Sequence, residues 1–205
     1  MENKIIIHLT QNDEILGQVI ALTPLKAVHN THNVFYDLTS CIVGQQIHYR
    51  REVPVFRKFL DLFPERLPTP ENMATISTDA VQALKISQAK FETLLTLSEY
   101  WLENHLEDAP WETLSDEEVR THLSAVKGVG SWTIDMILLF TLERPDIFPY
   151  QDYHLKQMMT QLYGLNPKAR LKEQMTNIAN KWTPYKSFAV KYLLSWKEFN
   201  QSTFK

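Results

Sequence analysis

The chain has one cysteine, Cys41, in 205 residues. A single thiol closes no internal disulfide and supplies no four-cysteine zinc or iron–sulfur site. In its apolar run, Cys41 reads as a core residue. The 7 histidines show neither His-x-x-x-His nor His-x-His spacing, so no histidine-based metal site and no cofactor are expected. No apolar run approaches the roughly 20 residues that span a bilayer, so no membrane partner is expected. The opening Met1-Glu2-Asn3-Lys4-Ile5-Ile6-Ile7-His8 lacks the apolar core and small-residue cleavage site of a secretory signal, and a cytoplasmic location is expected. Strand-like alternation is nearly absent. The clearest β-branched run, Ile5-Ile6-Ile7, reads as a stray strand or part of an extended arm. There is no repeat with a period of roughly 20–50 residues and no low-complexity linker.

A basic excess is also missing. The formal net charge is -3, whereas a protein that holds a duplex by bulk charge is usually basic. Much of the acid is concentrated in Glu103, Glu107, Asp108, Glu112, Asp116, Glu117 and Glu118, which read as a solvated face. Basic residues gather at Arg50, Arg51, Arg57 and Lys58, and again at Lys181, Lys186, Lys191 and Lys197. A local basic face is therefore expected, with binding resting on shape and hydrogen bonds as much as on charge.

What is present is helix punctuation. Thr69-Pro70, Asn166-Pro167 and Thr183-Pro184 each put a capping side chain before a proline suited to the first helical position. Ser115-Asp116-Glu117-Glu118 is a capping box. Ser87 is placed to cap a long run over 88–104 in which Phe91, Leu94, Leu95, Leu97, Trp101 and Leu102 share one broad apolar face. The fold class expected is all-α, with helices near 11–21, 34–44, 48–62, 71–75, 78–84, 88–104, 116–125, 131–142, 152–163, 167–181 and 184–199. Residues 1–205 are expected to form a single domain of two helical lobes around a cleft, one from 60–150 and the other from 1–60 plus 150–205. A cleft between lobes is a usual place for a site.

Glycine is scarce, 5 in all, yet two lie one residue apart in Leu123-Ser124-Ala125-Val126-Lys127-Gly128-Val129-Gly130-Ser131-Trp132-Thr133. Glycine reaches positive φ without steric cost and lets a turn approach another surface closely. Such a turn entering a helix aims successive N–H groups outward, which suits a phosphate. A helix-hairpin-helix element gripping nucleic-acid backbone is the first candidate, through Lys127, Gly128, Val129, Gly130, Ser131 and Thr133. The alternative is a tight αα-corner that serves packing alone. No strand precedes the glycines, which argues against a dinucleotide-binding βαβ unit.

Further along, Arg144-Pro145-Asp146-Ile147-Phe148-Pro149-Tyr150-Gln151 makes a stiff loop that ends at Asp152, where a helix should begin. A carboxylate at a helix N-terminus is favoured in its charged form; Asp152 could stabilise a cationic sugar, activate a water, or act only as a cap. Trp132 lies beside whatever the hairpin holds and would stack on a base or pack in the core. Tyr150 and Tyr36 are weaker candidates for the same role. In Ile42-Val43-Gly44-Gln45-Gln46-Ile47, the Gln45 and Gln46 amides either reach a base edge or form an ordinary polar turn.

Together these stretches, with Trp182-Thr183-Pro184-Tyr185-Lys186-Ser187-Phe188-Ala189, resemble the helix-hairpin-helix DNA glycosylases, in the branch similar to bacterial DNA-3-methyladenine glycosylase II. The likeness covers about 34–196. It implies that the hairpin binds DNA backbone, with a monovalent cation at the carbonyls of Ser124, Val126 and Val129, and that Asp152 is catalytic. Where bifunctional members carry a lysine nucleophile this chain has Trp132. The resemblance therefore implies a monofunctional enzyme that hydrolyses the N-glycosidic bond of alkylated purines in base excision repair. It would act as a monomer on double-stranded DNA containing damaged bases, with Trp132, Tyr150 and Tyr36 lining the base pocket. The chain departs from the family at Lys127, where proline is usual, and at Arg51 and Glu52, where small residues are common. Pro54 is placed to kink the helix that follows, Leu194 stands where some relatives have an aromatic, and Gln46 stands where a bulky residue would fill the gap left by a flipped base. The other readings are a non-catalytic DNA-damage-binding module and a helical protein-interaction domain.

Overall fold

The computed structural model describes residues 2–25, 30–44 and 54–203, with side chains to 197. Every regular element among the described residues is helical, as expected of an all-α chain. Two compact units form: Met1–Val28 with Glu143–Lys205, and His29–Leu142. The expected lobe boundaries near 60 and 150 are therefore moved at the first junction. The helices over 34–44 and 54–60 belong to the central unit, because the first packs on the long helix over 88–103 and carries the second with it.

The end unit opens with α1 (Glu2–Asn12) and α2 (Glu14–Leu22). Ile5-Ile6-Ile7 is thus helical, neither strand nor arm. Ile5 and Leu9, one turn apart, are buried, and that burial outweighs the modest helix penalty of β-branched residues. Asp13 caps α2 by accepting the Leu16 N–H through Oδ1 at 3.0 Å. Its Oδ2 accepts the Tyr163 hydroxyl and the Trp182 indole N–H, both at 2.8 Å, and Trp182 is wholly buried. The unit continues with α10 (Tyr153–Tyr163), α11 (Leu171–Ala179) and α12 (Lys186–Thr203). Neither Pro167 nor Pro184 opens a helix. The Asn166 side chain instead accepts the Lys168 N–H in a local turn, and Thr183–Pro184 is a cis peptide.

The central unit comprises α3 (Val34–Gly44), α4 (Pro54–Leu60), α5 (Pro70–Ala74), α6 (Thr78–Ala83), α7 (Gln88–Glu103), α8 (Asp116–Ser124) and α9 (Ser131–Met136). Pro54 is the first described residue of α4, and the residues before it, where a kink would show, lie outside the described ones. In α7, Phe91, Leu94, Leu97 and Trp101 are buried, while Leu102 turns outward. Trp101 packs edge-on to Phe35 and stacks on Trp111, with centroids 5.3 Å apart in each pair. Beyond α9 the chain widens into a π turn, Ile137–Thr141. Thr141 Oγ1 there donates to Asp37 Oδ2 at 2.6 Å, joined by Thr31 Oγ1 at 2.8 Å. Cys41 is buried, and burial pushes its thiol up to about 12, as a core residue requires.

Candidate nucleic-acid interface and active-site residues

The hairpin is built from local signals. Ser115 and Glu118 form the reciprocal cap that starts α8: the Ser115 N–H donates to Glu118 Oε2 at 2.7 Å, and the Glu118 N–H donates back to Ser115 Oγ at 3.3 Å. Those serine hydrogen bonds hold the Glu118 carboxyl below its ordinary range. The turn closes through Val126 N–H to Leu123 O at 3.3 Å and Val129 N–H to Val126 O at 3.1 Å. Val126 and Val129 are buried and anchor it, while Lys127, Gly128, Gly130 and Ser131 are exposed. Val129 therefore spends its N–H inside the turn. The outward amides reduce to Gly130 and those opening α9, since the first N–H groups of a helix lack intrahelical partners.

The two glycines differ in kind. Gly128 has φ +95°, and a Cβ there would meet Thr93 Oγ1 of α7 at 2.3 Å. Conformation and packing both demand glycine. Gly130 has φ -90° and ψ 166°, a backbone any residue adopts, and a Cβ there would meet nothing within 4 Å. Nothing among the described residues calls for glycine at position 130. Between the two helices, Arg120 of α8 meets Asp135 of α9 at 2.6 Å. Asp135 is only 6% exposed, and its burial raises the carboxyl against the lowering effect of Arg120. No short-range motif signalled this pair.

In the end unit, Asp152 stands at the N-terminus of α10 and is 3% exposed. Oδ1 accepts the Leu155 N–H at 2.7 Å, so Asp152 does cap the helix. The loop before it is held to the start of α12. The Ser187 hydroxyl donates to the Arg144 carbonyl and accepts the Ile147 N–H, and the Lys186 ammonium meets Asp146 at 2.9 Å. These contacts fix the backbone that delivers the carboxylate.

The aromatic candidates divide between the units. Trp132 and Tyr36 are half-buried in the central unit, Tyr36 lying edge-on to Phe56 with centroids 5.6 Å apart. Tyr150 is half-buried in the end unit, with the Lys172 ammonium 4.2 Å above its ring. Thr133 is half-buried. Tyr153, directly after Asp152, is 70% exposed. Gln45 and Gln46 lie outside the described residues, as do Arg50 and Arg51. The second basic cluster does not make one face. Lys186 is paired with Asp146, and Lys197 is buried against His154. At about 100° per residue, Lys191 lies about 140° around α12 from Lys186, while Lys197, eleven residues on, returns to the side of Lys186. Leu194 is buried and Trp196 half-buried.

The sequence profile of the HhH-GPD superfamily base excision DNA repair proteins matches residues 39–184, a stretch that holds the hairpin, the stapled loop and Asp152. The chain belongs to this superfamily. Among its relatives, DNA-3-methyladenine glycosylase 1 of Schizosaccharomyces pombe is 27% identical over 199 residues, covering 93% of this chain and 85% of that one. DNA-3-methyladenine glycosylase 2 of Escherichia coli is 27% identical over 188 residues, covering 87% of this chain. The chain spans 63% of the length of that second relative. The crystal structure of the S. pombe 3-methyladenine DNA glycosylase Mag1 in complex with abasic DNA superposes with a TM-score of 0.83 at 25% identity, covering 96% of this chain and 97% of that one.

Proposed function

We propose that this superfamily member is a monofunctional DNA glycosylase that hydrolyses the N-glycosidic bond of alkylated purines in double-stranded DNA, as a monomer in the cytoplasm. The observation that carries the reading is Asp152, a carboxylate 3% exposed on a backbone stapled at Ser187 and Lys186. A damaged nucleotide leaves the stack at a cost of a few kcal/mol, less when it pairs poorly. An alkylated purine carries positive charge and departs readily, so no strong general acid is needed. As the glycosidic bond lengthens, positive charge gathers on the sugar, and the Asp152 carboxylate stabilises it or orients the attacking water. The hairpin holds the backbone through Gly130, Ser131 and Lys127, supported by Gly128, Val129 and Thr133. Trp132, Tyr150 and Tyr36 are the aromatic candidates for stacking on the base, and Gln45 and Gln46, outside the described residues, are candidates for DNA contact.

The carbonyls of Ser124, Val126 and Val129 are hard oxygen donors that fit a monovalent cation. The Val126 carbonyl also accepts the Val129 N–H. Such an ion would add positive charge toward the phosphate.

The test is release of free base from duplex DNA treated with a methylating agent, comparing the wild type with Asp152→Asn. Asparagine keeps an acceptor for the Leu155 N–H and is a good cap, so the variant folds. Release by the wild type and loss in the variant are expected. DNA binding without release by the wild type would favour the damage-binding module, and absence of both would favour a protein-interaction domain.

A further inference from the structure

The net charge of -3 is unevenly shared between the two units. The central one, His29–Leu142, has 9 lysine and arginine residues against 16 aspartate and glutamate, whereas the end unit has 12 against 8. Within the end unit, Lys168, Arg170 and Lys172 lie close together, and Glu173 is the one carboxylate between Tyr153 and Trp182. All three cations are exposed. Arg170 meets Glu173 at 3.5 Å with its own side chain 86% exposed, a pairing that water and salt screen. The segment carrying these charges is held in place. The Gln174 amide donates to the Asn166 carbonyl at 3.0 Å and to the Ala169 carbonyl, and it accepts the Asn166 N–H at 3.2 Å. The Asn166 side chain accepts the Lys168 N–H at 2.9 Å. The Lys172 ammonium rests 4.2 Å above the Tyr150 ring, where the negative ring face attracts a cation. Tyr150 is two residues before Asp152.

A group of like charges on a surface is ordinarily a solvated face. This one differs in two respects: its backbone is fixed by its own amides, and one of its cations is set on a ring, against the entropy of a free lysine side chain. Both features lower the ordering cost of binding an anion. The neighbouring carboxylate says which anion, since a sugar presented to Asp152 brings a phosphodiester on either side of it. We propose that Lys172, with Lys168 and Arg170, forms a second DNA-backbone contact, carried by the end unit and separate from the hairpin. The Tyr150 ring is the platform that aims Lys172, which leaves at most one face of that ring for a base. This rests on the DNA-binding part of the reading above and not on base release.

The test is the affinity of the full chain for an intact duplex and for one containing a tetrahydrofuran abasic analogue, each over a series of salt concentrations. Wild type, Lys172→Gln, Tyr150→Leu and Lys181→Gln are compared, with thermal midpoints. Lys172 is exposed, so Lys172→Gln keeps the wild-type midpoint. It weakens binding to both duplexes about three- to tenfold, and the slope of log affinity against log salt becomes shallower by about 0.9, the value for one phosphate contact. Tyr150→Leu keeps the charge and loses the platform, so affinity falls about twofold with the slope unchanged. Lys181→Gln makes the same change of net charge at an exposed position outside the segment and keeps the wild-type slope. An unchanged slope in Lys172→Gln would overturn the proposal, and so would an equal change in Lys181→Gln, which marks net charge and not place. A loss confined to the abasic duplex would also overturn it, because it puts Lys172 and Tyr150 at the vacated base site. Wild-type affinity in Tyr150→Leu would refute the platform. If the wild type binds neither duplex, the reading above fails and the proposal with it; if it binds but releases no base, the salt slopes still decide.

Discussion

Alanine at Gly130 separates a hairpin that meets DNA from one that only turns a corner. At φ -90° and ψ 166°, with nothing within 4 Å of the added Cβ, alanine enters without strain. It removes unfolded-state freedom, stabilising by about 0.4–1 kcal/mol. It is also a poorer cap than glycine, which opposes that gain by a similar amount. The net change is about 0.5 kcal/mol or less, a midpoint shift under about 2 °C for a chain of this size. Against DNA the same methyl occupies the space through which a phosphate must approach. Losing one charge-assisted hydrogen bond at about 1.5–3 kcal/mol weakens binding roughly 10- to 100-fold. Gly128→Ala behaves in the opposite way. The left-handed backbone costs about 1–2 kcal/mol, and the overlap with Thr93 brings the total to about 3 kcal/mol, lowering the midpoint by about 6–12 °C. Adding Thr93→Ala recovers the overlap and leaves the conformational part. Differential scanning fluorimetry and fluorescence anisotropy at fixed salt read both effects. A folded Gly130→Ala protein that binds duplex as the wild type does would refute the reasoning, and so would a Gly130→Ala protein as unstable as Gly128→Ala.

Asp152→Ala, unlike Asp152→Asn, also removes the cap on α10 and should cost about 1 kcal/mol in urea denaturation; equal stability of the two variants would contradict the cap. Arg120→Met leaves the buried Asp135 carboxyl without its cation, at a cost of about 3 kcal/mol. Adding Asp135→Asn should return most of it, and failure to do so would count against the pair as the cause. Burial holds the Asp37 carboxyl above its ordinary range despite the lowering bonds from Thr141 and Thr31. The folded chain therefore holds this proton more tightly than the unfolded one. Its contribution is greatest in acid and is withdrawn as pH rises from the unfolded value near 3.9 through the folded one. Asp37→Asn should thus gain stability relative to the wild type as pH rises above about 4, and a constant difference would exclude the effect.

Signals confined to a few residues were legible in advance. Ser115 with Glu118, Ser87 with Lys90 and Thr69 before Pro70 all cap the helices their spacing announces, because each donor–acceptor pair lies within one turn. The Gly128–Gly130 turn follows from glycine's conformational range. Tertiary contacts decided what was misread. Ile5-Ile6-Ile7 becomes helix because Ile5 and Leu9 find a buried face, and Lys197 leaves the surface to meet His154. Asn166-Pro167 announces a helix that starts only at Leu171, since the asparagine satisfies a local turn first. The ties of Asp13 to Tyr163 and Trp182, of Arg120 to Asp135 and of Lys90 to Val43 span 150, 169, 15 and 47 residues, beyond the reach of any periodicity. Gly130 is the converse case: its presence was visible in sequence, but only the structure shows that no atom of the described residues lies where its Cβ would be.

The Asp13 carboxylate also imposes an order on biosynthesis. Its indole partner emerges 169 residues later, roughly 10–30 s of translation at ordinary elongation rates. During that interval α1 and α2 are outside the ribosome while the side chains that cover them do not yet exist. The His29–Leu142 unit is contiguous and can complete its own contacts as it emerges. The nascent chain therefore carries a folded middle and an uncovered apolar N-terminus until Trp182 arrives, and that interval is when a holding chaperone would matter most.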